Sequence, residues 1–183
     1  MNKFLIPLMA AVALLMLSCV NGNINGNNEQ LDSVAVTATA NPSSLAVVRI
    51  VDPIVEKYPN YKENSIAQES LVKELNDSLK KHVEIGKPCD LLEGLPLEFV
   101  QVAPNGAKEA VVEFKEPYSP YSDKWDASIT VYCTMDKEQA SKLSRGEYIL
   151  KGVLQDWKPD VGLYSLSLGE FLIKDAQATP YTF

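Results

Sequence analysis

The sequence predicts a mainly β domain that also contains helix: a small five-stranded barrel with a short helix between its third and fourth strands, preceded by a long amphipathic helix. Three observations predict this arrangement. Apolar residues recur every four positions between residues 65 and 83, which is typical of a helix with one buried side. From residue 95 onward apolar and polar residues alternate, which is typical of half-buried strands. Residues 44–183 also have the length of a single domain.

The first 18 residues have the features of an export signal. Lys3 is their only charged side chain, and Phe4 to Leu17 is uncharged, a stretch too short for a membrane span but suited to a signal peptide. The sequence Met-Leu-Ser-Cys at 16–19 resembles the lipobox of bacterial lipoproteins. The resemblance implies that residues 1–18 are removed and that Cys19 is lipidated. An ordinary signal peptide followed by a chance cysteine is the alternative.

Residues 19–43 are predicted to form a flexible tether. The run NGNINGNN at 21–28 consists almost entirely of Asn and Gly, which offer little apolar surface to bury. As a coil of about 24 residues, the segment would reach roughly 27 Å, enough to lift a domain off a bilayer. Val20 rather than Asp follows the cysteine. In the lipoproteins that this segment resembles, that favours the outer membrane, facing the periplasm or the cell surface.

Residues 44–94 are predicted to form a helical segment that packs on the barrel. The run LAVVRIV at 45–51 fits either a strand or the start of a helix, because it is too short for its period to decide. Asp52 and Pro53 have the residue types of a helix N-cap and of the first helical position. Pro59 should end that helix.

The clearest predicted helix spans residues 65–83. Ser65 and Gln68 have the spacing of a capping box at its start. Its apolar side consists of residues spaced by four, namely Ala67, Leu71, Leu75 and Leu79. Such a stripe is more often part of a core than a binding surface, so we expect it to be buried.

Five strands are predicted within residues 95–183. Asn105 and Gly106 indicate the turn between the first two strands. Asp136 has the residue type that caps the short helix, and Gly146 follows its end. Gly152 lies inside the fourth strand, where it would allow the bend that a small barrel requires. The predicted strands are 97–102, 110–115, 127–133, 148–154 and 164–173.

This order of strands and helix is that of an OB-fold barrel. The stretch 129–154 also resembles the tRNA-anticodon-like OB domains of bacterial lipoproteins. It shares a strand ending in Cys, a short helix, a Gly and a second strand with a Gly-hydrophobic pair, here Cys133, Ala140, Leu143, Gly146, Gly152 and Val153. The resemblance implies an OB-like barrel over residues 95–183 and assigns no ligand. An α+β sandwich, with the long helix on an antiparallel sheet, is the alternative.

OB barrels commonly bind ligands on the face of strands two and three and in the loop between strands four and five. By this analogy the ligand face consists of Glu113, Lys115, Thr130, Tyr132 and Trp157. The loop between strands two and three carries Tyr118, Tyr121 and Trp125, at the far end of the barrel. Loop aromatics stack on sugars, bases or peptide side chains. The alternative is that they close the ends of the barrel.

Cys89 and Cys133 remain after Cys19 is lipidated. An even pair in an exported protein is a candidate disulfide, here closing a loop of about 45 residues; two buried free thiols are the alternative. His82, Cys89 and Asp90 are also the only grouping that suggests a nucleophile with a base. CxxC, GxSxG, HExxH, P-loop and dinucleotide-binding motifs do not occur, so the sequence predicts no catalytic residues, no metal and no cofactor.

Charge narrows the function further. The 17 basic and 24 acidic side chains give a net charge of -7, which opposes binding to the phosphates of nucleic acids. The sequence therefore predicts a non-enzymatic binding module of the cell envelope, held at the membrane through Cys19 and interacting with an envelope protein or glycan. Two alternatives stay open. One is an envelope enzyme that uses Cys89 or paired carboxylates, and the other is a single-stranded nucleic-acid binder that uses the OB face.

Overall fold

The computed structural model describes residues 44–117, 121–159 and 166–182. The predicted signal segment, Cys19 and the predicted tether lie outside these residues, as do Tyr118 and Tyr164. The described part of the chain contains three α-helices, two 3-10 turns and five β strands. It is therefore mainly β with helix, as the sequence predicts.

Helix α1, Ala46–Glu56, shows that the ambiguous run at 45–51 is helical. The prediction of a helix start at Asp52 is wrong, because the helix begins at Ala46 and Pro53 lies inside it. The physical reason is its apolar side, which continues past the proline: Val47, Val48, Val51, Ile54 and Val55 are all buried. The helix ends shortly before Pro59, as expected.

Helix α2, Ser65–Leu79, has the predicted buried stripe of Leu71, Leu75 and Leu79. Its N-cap is Asn64 rather than Ser65, since the Asn64 side-chain oxygen accepts hydrogen bonds from the backbone N–H groups of Ile66 and Ala67 at 3.0 and 3.2 Å. The helix gives way to a 3-10 turn at Lys80–His82, so it ends slightly earlier than predicted.

Five strands form a sheet that closes into a ring in the order β1-β2-β3-β5-β4. The strands are β1 Pro96–Asn105, β2 Glu109–Lys115, β3 Ala127–Asp136, β4 Glu147–Lys158 and β5 Leu166–Pro180, with helix α3, Lys137–Ala140, between β3 and β4. Strands β3 and β5 run parallel, and every other neighbouring pair is antiparallel. Because β4 returns to pair with β1, the sheet is not the open layer of the α+β alternative.

Gly152 allows strand β4 to approach β5 closely. The pairing of the two strands shifts register between Lys151 and Val153. A Cβ atom on Gly152 would lie 2.5 Å from the Cγ2 atom of Ile173 and 2.8 Å from the carbonyl oxygen of Lys174. The predicted bend at this glycine is therefore confirmed, and its cause is that no side chain fits between the two strands.

The segment between α2 and β1 extends the sheet beside β4. The N–H of Gly86 donates to the carbonyl of Leu154, and the N–H of Leu154 donates to the carbonyl of Lys87, both at 2.8 Å. Pro88 forms a bridge with Val153, and a second 3-10 turn follows at Asp90–Leu92. Buried residues of the helices, of this segment and of the strands belong to one hydrophobic core.

Candidate functional site

Strands β2 and β3 bring four of the five predicted ligand-face residues together. Glu113 is paired with Tyr132, and Lys115 is paired with Thr130. In both strands the residues alternate between buried and accessible positions, and these four are the accessible ones. Directly paired residues of neighbouring strands share a side of the sheet. The four side chains therefore form a continuous patch on the outside of the ring.

The neighbouring strands β1 and β5 enlarge this patch. Gln101 donates from its amide nitrogen to Oε2 of Glu113 at 2.6 Å, and the Lys115 ammonium lies 3.8 Å from Oε2 of Glu98. On the other side, Glu170 of β5 is paired with Thr130. We call the resulting surface the polar face; it consists of Glu98, Gln101, Glu113, Lys115, Thr130, Tyr132 and Glu170.

Tyr132 lies at the centre of the polar face. Burial raises the pKa of its phenol, and the charges of Glu113 and Glu170 raise it further. The hydroxyl is therefore neutral at physiological pH and can donate a hydrogen bond. Among the residues that the structure describes, this hydroxyl has no hydrogen-bond partner. A half-buried ring with a free hydroxyl, set among carboxylates, an amine and an amide, is suited to contact a polar ligand.

A hollow of about 340 Å³ adjoins the polar face at the start of strands β3 and β5. Its wall includes the hydroxyls of Ser128, Thr130 and Ser167 and the charged groups of Lys158 and Glu170. The hollow shares Thr130 and Glu170 with the polar face, so one extended ligand can contact both. Its hydroxyls supply both donors and acceptors of hydrogen bonds.

Trp157 does not lie on the polar face, so this part of the predicted site is wrong. It is paired with the buried Phe171, with ring centroids 6.3 Å apart, and its indole N–H donates to the carbonyl of Leu168 at 3.0 Å. The reason is a second register shift in β4, between Leu154 and Asp156, which reverses the alternation of side chains. Trp157 thus packs on the core, as in the alternative that aromatic residues close the barrel.

Trp125 and Tyr121 also have structural partners. Trp125 is 3% exposed and donates its indole N–H to Oδ1 of Asp52 on α1 at 2.7 Å. Tyr121 is buried and donates its hydroxyl to the carbonyl of Pro96 at 3.1 Å. Both side chains are therefore used to fix the loop between β2 and β3 against α1 and β1.

Cys89 and Cys133 are both buried free thiols, so the predicted disulfide is not formed. Cys133 belongs to the inward-facing set of β3, and burial raises the pKa of its thiol to about 12. Burial also raises the pKa of Cys89. A catalytic thiol needs a lowered pKa, and His82 is exposed in its 3-10 turn. The geometry therefore gives no support to a thiol nucleophile with His82 as its base.

Two further observations bear on the other functional alternatives. Glu116, which the sequence offers beside Glu113 as a carboxylate pair, accepts a hydrogen bond from the backbone N–H of Ile129 at 3.0 Å. Within the described ranges, no group of three or more His, Cys, Asp or Glu side chains is placed to hold a metal ion. No helix in the same ranges has the length and apolar character needed to cross a membrane.

Comparison of the chain with protein-family models, with curated proteins and with solved structures gives no match. The site is therefore described from its own geometry. Sequence patterns identified the β2 and β3 members of the polar face and missed Glu98, Gln101 and Glu170. These three residues join the face only through the pairing of β1 with β2 and of β3 with β5. Their only signal in the sequence is a polar residue at an outward position of a predicted strand.

Proposed function

We propose that this protein is a lipid-anchored binding module of the cell envelope, with an OB-like barrel that recognises its partner without catalysing a reaction. The strand order β1-β2-β3-β5-β4, the parallel pairing of β3 with β5 and the position of α3 support the OB-like assignment. The lipobox at residues 16–19 supports the anchor, which would be attached at Cys19.

The observation that carries the binding role is the free hydroxyl of Tyr132 in the middle of the polar face. Glu113, Lys115 and Thr130 surround it and supply acceptors and donors of hydrogen bonds. A ring that can stack on a sugar, bordered by such groups, suits a glycan better than a purely apolar partner. We therefore propose peptidoglycan, or another envelope glycan, as the partner of this face.

The same face argues against the nucleic-acid alternative. It contains three carboxylates, Glu98, Glu113 and Glu170, against the single ammonium of Lys115. Binding to single-stranded nucleic acid depends on a positively charged groove that follows the phosphates. An acidic face would repel them, in keeping with the net charge of -7.

The test is cosedimentation of the full-length protein, solubilised in mild detergent, with purified peptidoglycan sacculi. We expect the wild-type chain to sediment with the sacculi and Tyr132→Ala to bind about three- to tenfold more weakly, because stacking on the ring is lost. Tyr132→Phe keeps the ring and should lose less. Ile66→Ala, which removes a side chain that is 75% exposed on α2, is the control and should bind like the wild type.

Retention of Tyr132→Ala at the wild-type level would contradict binding at the polar face. Loss of binding in Ile66→Ala to the same extent would show that the assay reports a general property of the protein. If neither sacculi nor soluble peptidoglycan fragments bind the wild-type chain, the glycan assignment is wrong.

A further inference from the structure

A second cavity lies on a different part of the ring and shares no residue with the polar face. Its volume is about 460 Å³, and it lies where the segment before β1 meets strands β4 and β5. The cavity is within the size range of small-molecule sites in proteins. Pro88 forms a bridge with Val153 at its border, so the two sides of the cavity are joined by backbone pairing.

The floor of this cavity is apolar. Its buried lining residues are Cys89, Leu92, Leu150 and Ile173, and Val153 contributes a half-buried side chain. The Cys89 thiol stays protonated because burial raises its pKa, so it adds no charge to the floor. The floor therefore favours the apolar body of a ligand, whose transfer out of water is favourable.

The exposed residues around the cavity carry an excess of negative charge. Asp90, Glu93 and Asp175 supply three carboxylates, and Lys151 supplies the single ammonium. Within the described ranges none of the three carboxylates forms an ion pair with a lysine or arginine. A positively charged group at the mouth of the cavity would meet carboxylates that no side chain has neutralised, whereas an anionic group would be repelled.

We propose that this cavity binds a small amphipathic cation, with its apolar body on the floor and its amine facing Asp90, Glu93 and Asp175. The backbone at the rim is held in the form that this site needs. Asp175 has φ of 52°, in the left-handed region, beside the register shift at Gly152. Asn adopts that conformation as readily as Asp, so Asp175→Asn removes the charge and leaves the backbone undisturbed.

The experiment compares three probes of the same shape: 2-phenylethylammonium, 2-phenylethanol and 3-phenylpropionate. Each is titrated into the isotopically labelled full-length chain in detergent, and the backbone NMR signals of Leu92, Val153 and Ile173 are followed. We expect the ammonium to bind about three- to fivefold more tightly than the alcohol, and the carboxylate to bind most weakly. The preference should shrink as salt is added, because the carboxylates are exposed.

Two variants locate the effect. The double variant Glu93→Gln, Asp175→Asn should bind the ammonium no better than the alcohol, whereas Glu109→Gln, an exposed carboxylate on β2, should keep the preference. Val153→Phe should fill the cavity and weaken binding of all three probes. If Val153→Phe does not fold, the charge variants still decide the question.

Three results would overturn the proposal: equal affinity for the ammonium and the carboxylate, no signal changes at Leu92, Val153 and Ile173, or an unchanged preference in the double variant. Binding of the ammonium to Tyr132 and its neighbours instead would also overturn it. Since the two sites share no residues, failure here leaves glycan binding at the polar face unaffected.

Discussion

The indole N–H of Trp125 donates to the carboxylate of Asp52 at 2.7 Å and so joins the loop between β2 and β3 to helix α1. The Ser122 hydroxyl donates to the same Oδ1 atom at 3.0 Å, and the Lys124 ammonium lies 3.1 Å from Oδ2. Trp125 is almost fully buried, so water cannot replace Asp52 as the acceptor for its N–H. One carboxylate on α1 therefore fixes a whole loop at one end of the ring.

Replacement of this carboxylate should destabilise the protein. Asp52→Ala leaves the indole N–H of Trp125 buried without an acceptor, which costs about 1–3 kcal/mol. The measurement is urea unfolding followed by Trp fluorescence, with Asp77→Ala on α2 as the control, since Asp77 is an exposed carboxylate. Equal free energies of unfolding for Asp52→Ala and Asp77→Ala would contradict the structural role of Asp52.

The pKa of Asp52 gives a second expectation. Burial alone would raise this pKa, but the hydrogen bonds from Trp125, Lys124 and Ser122 outweigh burial and hold it below the ordinary value of 3.8. Because the unfolded chain has the higher pKa, the stabilisation from the charged carboxylate is complete above the ordinary value and is lost as the pH falls through the lowered one.

We therefore expect the wild type to exceed Asp52→Asn in free energy of unfolding by a constant amount from about pH 7 to about pH 4, and by less at lower pH. Urea titrations at a series of pH values measure this difference. A difference that grows on acidification would show that the folded state raises the pKa of Asp52. Asp77→Asn serves as the matched control, with no such pH dependence expected.

Local periodicity explains why the long helix and the strands could be predicted. Leu71 and Leu75 on α2 are one helical turn apart, and the whole buried stripe lies within a single helix. In β3 the alternation from Ile129 to Cys133 likewise needs no information from elsewhere in the chain. The pairing Glu113–Tyr132 followed once the strands were correctly placed on either side of a single loop.

Register shifts explain what could not be predicted. A strict alternation along β4 that puts Leu154 inside also puts Trp157 outside, and the shift between Leu154 and Asp156 reverses this. Nothing in the local sequence marks that position. The same limit applies to Asp52, which has the residue type of a helix cap but serves instead as the acceptor for Trp125, a contact between residues far apart in sequence.

Trp157 and Tyr132 should have opposite effects on stability and on binding. Trp157→Ala removes a ring that packs against Phe171 and an N–H that is bonded to Leu168, so we expect a loss of about 2–4 kcal/mol in free energy of unfolding. Sacculus binding by the folded fraction should be unchanged. Tyr132→Ala should lose binding with a smaller loss of stability, because its ring is on the outside.

Urea unfolding and cosedimentation on both variants measure these two effects. Trp157→Phe keeps an aromatic ring without the N–H and should lie between Trp157→Ala and the wild type in stability. Weakened binding in a fully folded Trp157→Phe would return Trp157 to the ligand site, against the register of β4.

Lipidation at Cys19 can be tested apart from any ligand. Cells that express the full-length chain are fed an alkyne-labelled fatty acid, and we expect the label on the wild-type protein in the membrane fraction. Each buried CH₂ of an acyl chain contributes roughly 0.8 kcal/mol, so more than one chain is needed for stable anchoring. Cys19→Ala should carry no label and leave the membrane fraction. Cys89→Ala and Cys133→Ala should keep the label, because both thiols are buried and have raised pKa values. Label that persists in Cys19→Ala and is lost in Cys89→Ala would place the modification at the wrong end of the tether and refute the anchor.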